Sequence, residues 1–258
     1  DWRIYWDHDN IHSLTRLLHP SLEDSRFDAN FRDFRLFSQD CANGDLPAYT
    51  FIEPRLLLNH NDMHPPVFLN QNVHSSVLAG EWLVSDVYNA VRTGKHWPRS
   101  LLLITFDEHG GCYDHWPPPR ATPPDPNPPY ELEAGFRFDR CGVRVPAIFV
   151  SPYVAPGAVV RSSGLVPFDH TSLIRTLCAR WELDGLTARD QAAPDFAAVL
   201  SLSEPRLETP ALDPRPYTPH FRAAGVAQHR CAHALVLEVE SCAAVHESDR
   251  ALTFDHDY

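Results

Sequence analysis

The chain has 258 residues, 43% hydrophobic and 22% charged, with a net charge of −12 at pH 7. That length carries one large domain with a substantial core. The acidic balance and the lack of any Lys/Arg run argue against nucleic acid as a partner, because phosphate-backbone binding needs basic patches.

Trp2 to Trp6, an aromatic and β-branched run, predicts a first strand. Asp7 to Pro20 reads as loop or weak helix. Phe27, Phe31 and Phe34 recur at helical spacing and predict a helix over 28–39. Gly44 to Pro47 is turn chemistry, and Ala48 to Glu53 predicts a strand stopped by Pro54. Asn59 to Pro66 (NHNDMHPP) is a polar loop. Val77, Val84, Tyr88 and Val91 share a face of a helix over 75–92, with Gly94 as its stop. Leu101 to Phe106 is a continuous apolar run, expected to be a buried strand. Arg120 to Tyr130 is too Pro-rich for regular structure and predicts an exposed loop or lid. Val145 to Val150 predicts another strand. His170 to Trp181 predicts a helix that Asp169 can cap, with a short helix near Pro194 to Leu200. Glu204 to Pro219 repeats Pro without periodicity, as a linker or extended tail does, and Ala234 to Val239 is a strand candidate. Strands separated by helices imply an α/β layered domain with a mostly parallel sheet, its strands buried on both faces.

No apolar run is long enough to span a bilayer, and no signal peptide is visible. The chain begins at Asp1 and not at Met, as a processed form or fragment does. The six Cys form no C-x-x-C pair, which argues against a zinc ribbon or a thioredoxin-type site. Their even number permits disulfides, and a buried free thiol is the expected state of Cys178.

The densest chemistry lies in Leu101 to Pro119, LLLITFDEHGGCYDHWPPP. Asp107 and Glu108 sit where the strand ends, and Gly110-Gly111 allow a sharp turn. In open α/β sheets, ligands bind at the carboxyl ends of strands. Successive strand residues point to opposite faces, so both acids reach one ion only if the strand ends between them and the chain turns. Coordination of a hard divalent cation is the functional reading; a solvated strand end with an Asp-capped turn is the bland one. His64, His109, His115 and His170 can ligate a metal, bind a phosphate oxygen or protonate a leaving group, although any one alone is more often a hydrogen-bonded structural His. Asp114 either orients a neighbouring His or fixes the loop. Arg144 binds an anion or forms an ion pair. Asp169 caps its helix, or that helix N-terminus holds an anion.

DEHGGCYDHWPPP resembles the D-E-x-x-G-x-x-D-H-x-x-x-P signature of the phosphoesterase family of bacterial and plant non-specific phospholipases C and related acid phosphatases. GVRVPAIFVSP (Gly142 to Pro152) resembles that family's G-x-R-V-P-x-x-x-x-S-P motif, and FDHTSLIRTLCARW (Phe168 to Trp181) its D-H-T-S helix. LPAYTFIEP and NDMHPP fit the segments that precede the signature. Several ordered motifs are far more specific than any one of them.

The resemblance covers roughly Trp2 to Leu212. It implies a three-layer α/β/α, alkaline-phosphatase-like fold, incomplete here, with residues 1–203 as the C-terminal portion of the catalytic domain and 204–258 as linker and tail. It also implies hydrolysis of phosphate esters, phospholipids included, by a Thr or Ser nucleophile beside a divalent metal. Asp107 and Glu108 are the implied metal-binding acids. His64 is implied near the scissile phosphate, and His109, Asp114 and His115 within the signature loop. Transient contact with a membrane surface and an exported or periplasmic location go with that family. Trp116 replaces the family's small aliphatic residue. The family's metal-binding Glu-Asn pair and its T-x-P-N-R nucleophile motif do not occur in these 258 residues. The expected alternative to an active hydrolase is therefore a catalytically inactive truncated form or pseudoenzyme.

Overall fold

The computed structural model describes residues 1–65, 77–128 and 133–212. The expected strand at Ala234 to Val239, the start of the helix expected from residue 75, and Cys231 and Cys242 lie outside them.

The N-terminal half is built on a three-stranded parallel sheet. Strand β1 (Trp2–Trp6) lies in the middle, between β2 (Phe31–Asp33) and β3 (Tyr49–Ile52). Ile4 pairs with Phe31 on one side and with Phe51 on the other. Helix α1 (Leu14–Leu18) and helix α2 (Phe37–Asn43) fall in the two crossovers. The long helix α3 (Val77–Thr93) packs on α2. Tyr5, Phe37, Cys41, Val87 and Ala90 form the buried core, with Ile52, Leu83 and Leu102 packed around it. Within it, the Tyr5 hydroxyl donates to Asp40 Oδ2 (2.6 Å) and Arg32 Nη2 donates to Asp40 Oδ1 (2.8 Å). Burial, and then the bond to Asp40, push the Tyr5 phenol up to about 12. This mixture of helices with a parallel sheet is an α/β fold.

The helix expected over 28–39 is not formed. Two 3₁₀ segments, Ser25–Asn30 and Phe34–Leu36, flank the three-residue strand β2, and only then does α2 begin. The three-residue repeat of a 3₁₀ turn mimics helical spacing, and Phe27 and Phe31 both pack on the Trp2 ring.

The second sheet also departs from expectation. Strand β4 (Leu102–Thr105) pairs antiparallel with β5 (Ala147–Val150), from Leu102↔Val150 to Thr105↔Ala147. Both strands are half-buried at best. A parallel pair needs a crossover element, and among the described residues the chain between β4 and β5 forms no more than one 3₁₀ turn, Glu133–Gly135. Part of that stretch closes on itself. Ala121 N–H donates to the Asp139 carbonyl (2.8 Å) and Cys141 N–H to the Pro119 carbonyl (2.9 Å), around an Arg120↔Arg140 bridge.

Helix α4 (His170–Trp181) begins where predicted, capped by Asp169 and Ser172 in a reciprocal box. Cys178 is a buried free thiol bonded to the Asp184 carbonyl. Near Pro194 to Leu200 only a 3₁₀ turn, Ala197–Val199, forms. The helix α5 (Ala188–Ala192) precedes it, set by its own Thr187/Asp190 box. Residues 202–212 then run extended from the end of β5 to α3. Arg206 N–H donates to the Pro152 carbonyl, and the Tyr88 hydroxyl donates to the Pro210 carbonyl.

Candidate functional site

The ladder of β4 ends at Thr105, whose hydroxyl donates to the Pro146 carbonyl (3.0 Å). Asp107 and Glu108 follow two residues on, both exposed. Asp107 Oδ1 accepts from the Glu108 amide (2.9 Å), and Glu108 Oε2 from the Gly110 amide (2.7 Å). Gly110 and Gly111 take φ values of +61° and +74°, a left-handed pair that side chains resist. The strand ladder thus ends before both acids, and the chain turns after them, at Gly110-Gly111.

Three separate segments grip this turn. At its start, His170 Nε2 donates to the Phe106 carbonyl (2.6 Å). In its middle, a Cβ on Gly110 would sit 3.1 Å from Pro65 Cδ and Cγ, so the segment carrying His64 lies against it. At its far end, Arg144 forks onto Asp114, Nε to Oδ2 at 2.7 Å and Nη2 to Oδ1 at 2.8 Å. The Arg144 guanidinium, and next the Trp116 amide, hold the Asp114 carboxyl well below the usual carboxylate range.

This geometry resolves several open readings. Asp114 is engaged by Arg144 and fixes the loop, while His115 is 81% exposed with Nδ1 3.6 Å from Asp114 Oδ1. Arg144 is an ion-pair partner. Asp169 Oδ1 accepts from the Thr171 amide and hydroxyl, and Oδ2 accepts from Arg189 Nε (3.1 Å), so its carboxylate serves as cap and anchor. His109 donates from Nδ1 to the Cys112 carbonyl (2.9 Å) and His64 from Nδ1 to the Pro65 carbonyl (2.7 Å). Such bonds place a proton on Nδ1 of each ring.

For a hard divalent cation, Asp107 and Glu108 supply the right donors, carboxylate oxygens at an open turn, with one oxygen of each engaged by the loop. Two donors are a partial set: among the described residues no three His, Cys, Asp or Glu side chains converge on one point.

One buried acid closes a strand in the same way as Asp107. Glu53, at the end of β3, accepts from Ser13 Oγ (2.8 Å) and from the Leu14 and Thr15 amides (2.9 and 3.0 Å). Its signal in the sequence is the same as that of Asp107, a carboxylate closing an apolar run.

A family model, Phosphoesterase family, matches residues 1–184. Non-specific phospholipase C5 of Arabidopsis thaliana is 38% identical over 211 residues, covering 76% of this chain and 38% of that protein. Non-specific phospholipase C3 of the same plant is 36% identical over 213 residues, 77% of this chain and 38% of its own length. Phospholipase C B of Mycobacterium tuberculosis is 32% identical over 201 residues, 71% of this chain and 36% of its own. The chain therefore spans well under half the length of these relatives.

Proposed function

This chain belongs to the phosphoesterase family, and from that premise we propose that it carries the metal-holding carboxylate turn of a phosphate-ester hydrolase, of phospholipase C or acid phosphatase type. The observation that carries the reading is the turn itself. Two adjacent carboxylates leave a strand end together and are gripped by three other motif segments.

In this reading Asp107 and Glu108 hold a divalent cation. When bound, it offsets charge on the phosphoryl oxygens and favours the deprotonated nucleophile. The nucleophile is a Thr or Ser on a T-x-P-N-R segment that these 258 residues do not contain. His64, in its imidazolium form, gives its Nε2 proton to the departing alcohol, His109 and His115 border the phosphate, and Asp114 fixes the loop they stand on. The substrate is a phosphate ester or a phospholipid. Tyr113 (92% exposed) and Trp116 (58% exposed) project from the same loop. Their amphipathic rings suit transient contact with a lipid headgroup layer, and the charge of −12 favours a zwitterionic surface over an anionic one.

Cation binding and hydrolysis, measured side by side, test this. The chain is expected to bind Mn²⁺. Asp107→Ala with Glu108→Ala should weaken binding by at least about 100-fold, since losing an outer partner of a metal ligand alone costs about 10- to 100-fold. A chromogenic phosphate monoester and phosphatidylcholine vesicles are the substrates. Turnover abolished by chelator supports the active hydrolase, and Trp116→Ser should then slow vesicles more than the soluble ester. Mn²⁺ binding without turnover in a folded sample supports the inactive form lacking its nucleophile segment. Turnover that ignores chelator overturns the metal assignment.

A further inference from the structure

We propose that His170 is a positioning residue, whose imidazole holds the Phe106 carbonyl and so sets the direction in which Asp107 and Glu108 leave strand β4. This rests on the reading that those two carboxylates hold a divalent cation.

Phe106 lies one residue beyond the last ladder pair, Thr105↔Ala147, so its carbonyl has no strand partner. Across 64 residues of sequence, His170 Nε2 meets it at 2.6 Å. A carbonyl only accepts, so Nε2 carries the proton, in the neutral ring or in the imidazolium alike. The peptide group is planar. Fixing the Phe106 carbonyl therefore fixes the amide nitrogen of Asp107 and the direction of its Cα. The orientation then passes on, because Asp107 Oδ1 takes the Glu108 amide and Glu108 Oε2 takes the Gly110 amide.

The arm that carries His170 is rigid. Asp169 caps α4 through Thr171 and is clamped by Arg189 from α5. Ser172 is fully buried, and Phe168 and Phe149 both pack on Phe196. His170 therefore relays the fixed position of α4 to the carboxylates, and it accounts for a motif residue that the chemistry itself does not use.

The experiment compares the full chain with His170→Ala, His170→Gln and Asp107→Ala. It uses Mn²⁺ titration calorimetry and amide hydrogen exchange over residues 106–111. Gln places an N–H donor at about the reach of Nε2. His170→Ala is expected to weaken Mn²⁺ binding about 10- to 100-fold and to speed exchange over 106–111. His170→Gln should restore both, while exchange in β1 and α3 stays unchanged in either variant. Wild-type Mn²⁺ affinity in His170→Ala overturns the proposal, as does failure of a folded His170→Gln to recover it when Ala has lost it. If the wild-type chain binds no Mn²⁺, the cation reading fails, and exchange over 106–111 decides on its own: unchanged in His170→Ala, it overturns the latch; faster there and restored by Gln, it upholds it. If Ala unfolds the chain, a folded His170→Gln with wild-type exchange and affinity upholds the proposal, and one with faster exchange or weaker binding overturns it.

Discussion

Asp114 and Arg144 show what a residue's partner decides that its identity does not. Next to His115 in the sequence, Asp114 looks like an acid poised to orient an imidazole; in the fold it belongs to a guanidinium thirty residues away. Its carboxyl is depressed by Arg144 first. A carboxylate lowered in the folded state contributes its full stability above its unfolded pKa of about 4, and that contribution is lost as pH falls through the folded value. The clamp is therefore expected to stay closed through neutral and mildly acidic pH and to open only in stronger acid. The Asp114 side-chain carboxyl ¹³C resonances should show no carboxylate titration from pH 7 down past 4 in the wild type. In Arg144→Met they should move near pH 4. Identical titrations in the two proteins would sink this assignment. The acids and imidazoles of the site were legible because their types and spacing are written locally. Which of them are engaged by Arg144 or Phe106 was not, since each partner lies in a distant segment.

At the scale of elements, signals contained within one stretch were read correctly. Trp2–Trp6, Tyr49–Ile52 and His170–Trp181 each carry their own pattern and stop. Phe31–Asp33 does not, because three residues become a strand only through pairing with β1. Gly94 follows α3 as expected, but it takes no left-handed conformation. Its reason is proximity, since a Cβ there would lie 2.9 Å from the Cys41 carbonyl oxygen where α2 meets the end of α3. Glu53 is the element-scale counterpart. It joins the end of β3 to the first turn of α1 by accepting two amides that a helix start leaves unpaired. Glu53→Ala leaves the buried Ser13 hydroxyl and two half-buried amides without their acceptor, and is expected to cost roughly 3 kcal/mol. Urea denaturation measures this. A change below about 1 kcal/mol would mean that α1 is held by other means.

For the whole molecule, the unpaired edges matter most. Among the described residues β2 and β3 are outer strands of the parallel sheet, and β4 and β5 each have one neighbour only. Ile11, Leu18, Val159, Leu165 and Leu186 are strongly exposed. Open edges and exposed apolar side chains both invite association, so the isolated chain is expected to self-associate as concentration rises. Light scattering coupled to size exclusion should reveal it, and a clean monomer with a single cooperative unfolding transition would contradict it. The sequence carried the α/β character but not the second sheet, because among the described residues no crossover helix forms between Phe106 and Pro146 and β5 turns back antiparallel.

Within that stretch, the chain leaves at Pro119 and returns at Cys141 through one pair of backbone bonds. A detour whose two ends already touch can change length at little cost, about 0.6 kcal/mol for each doubling. Residues between Ala121 and Asp139 are thus a natural place for insertions, deletions and grafted recognition segments, with the carboxylate turn left in register. The opposite holds between Phe106 and Asp114. There a single added residue would shift Phe106 from His170 or Asp114 from Arg144, so this short run is fixed in its length.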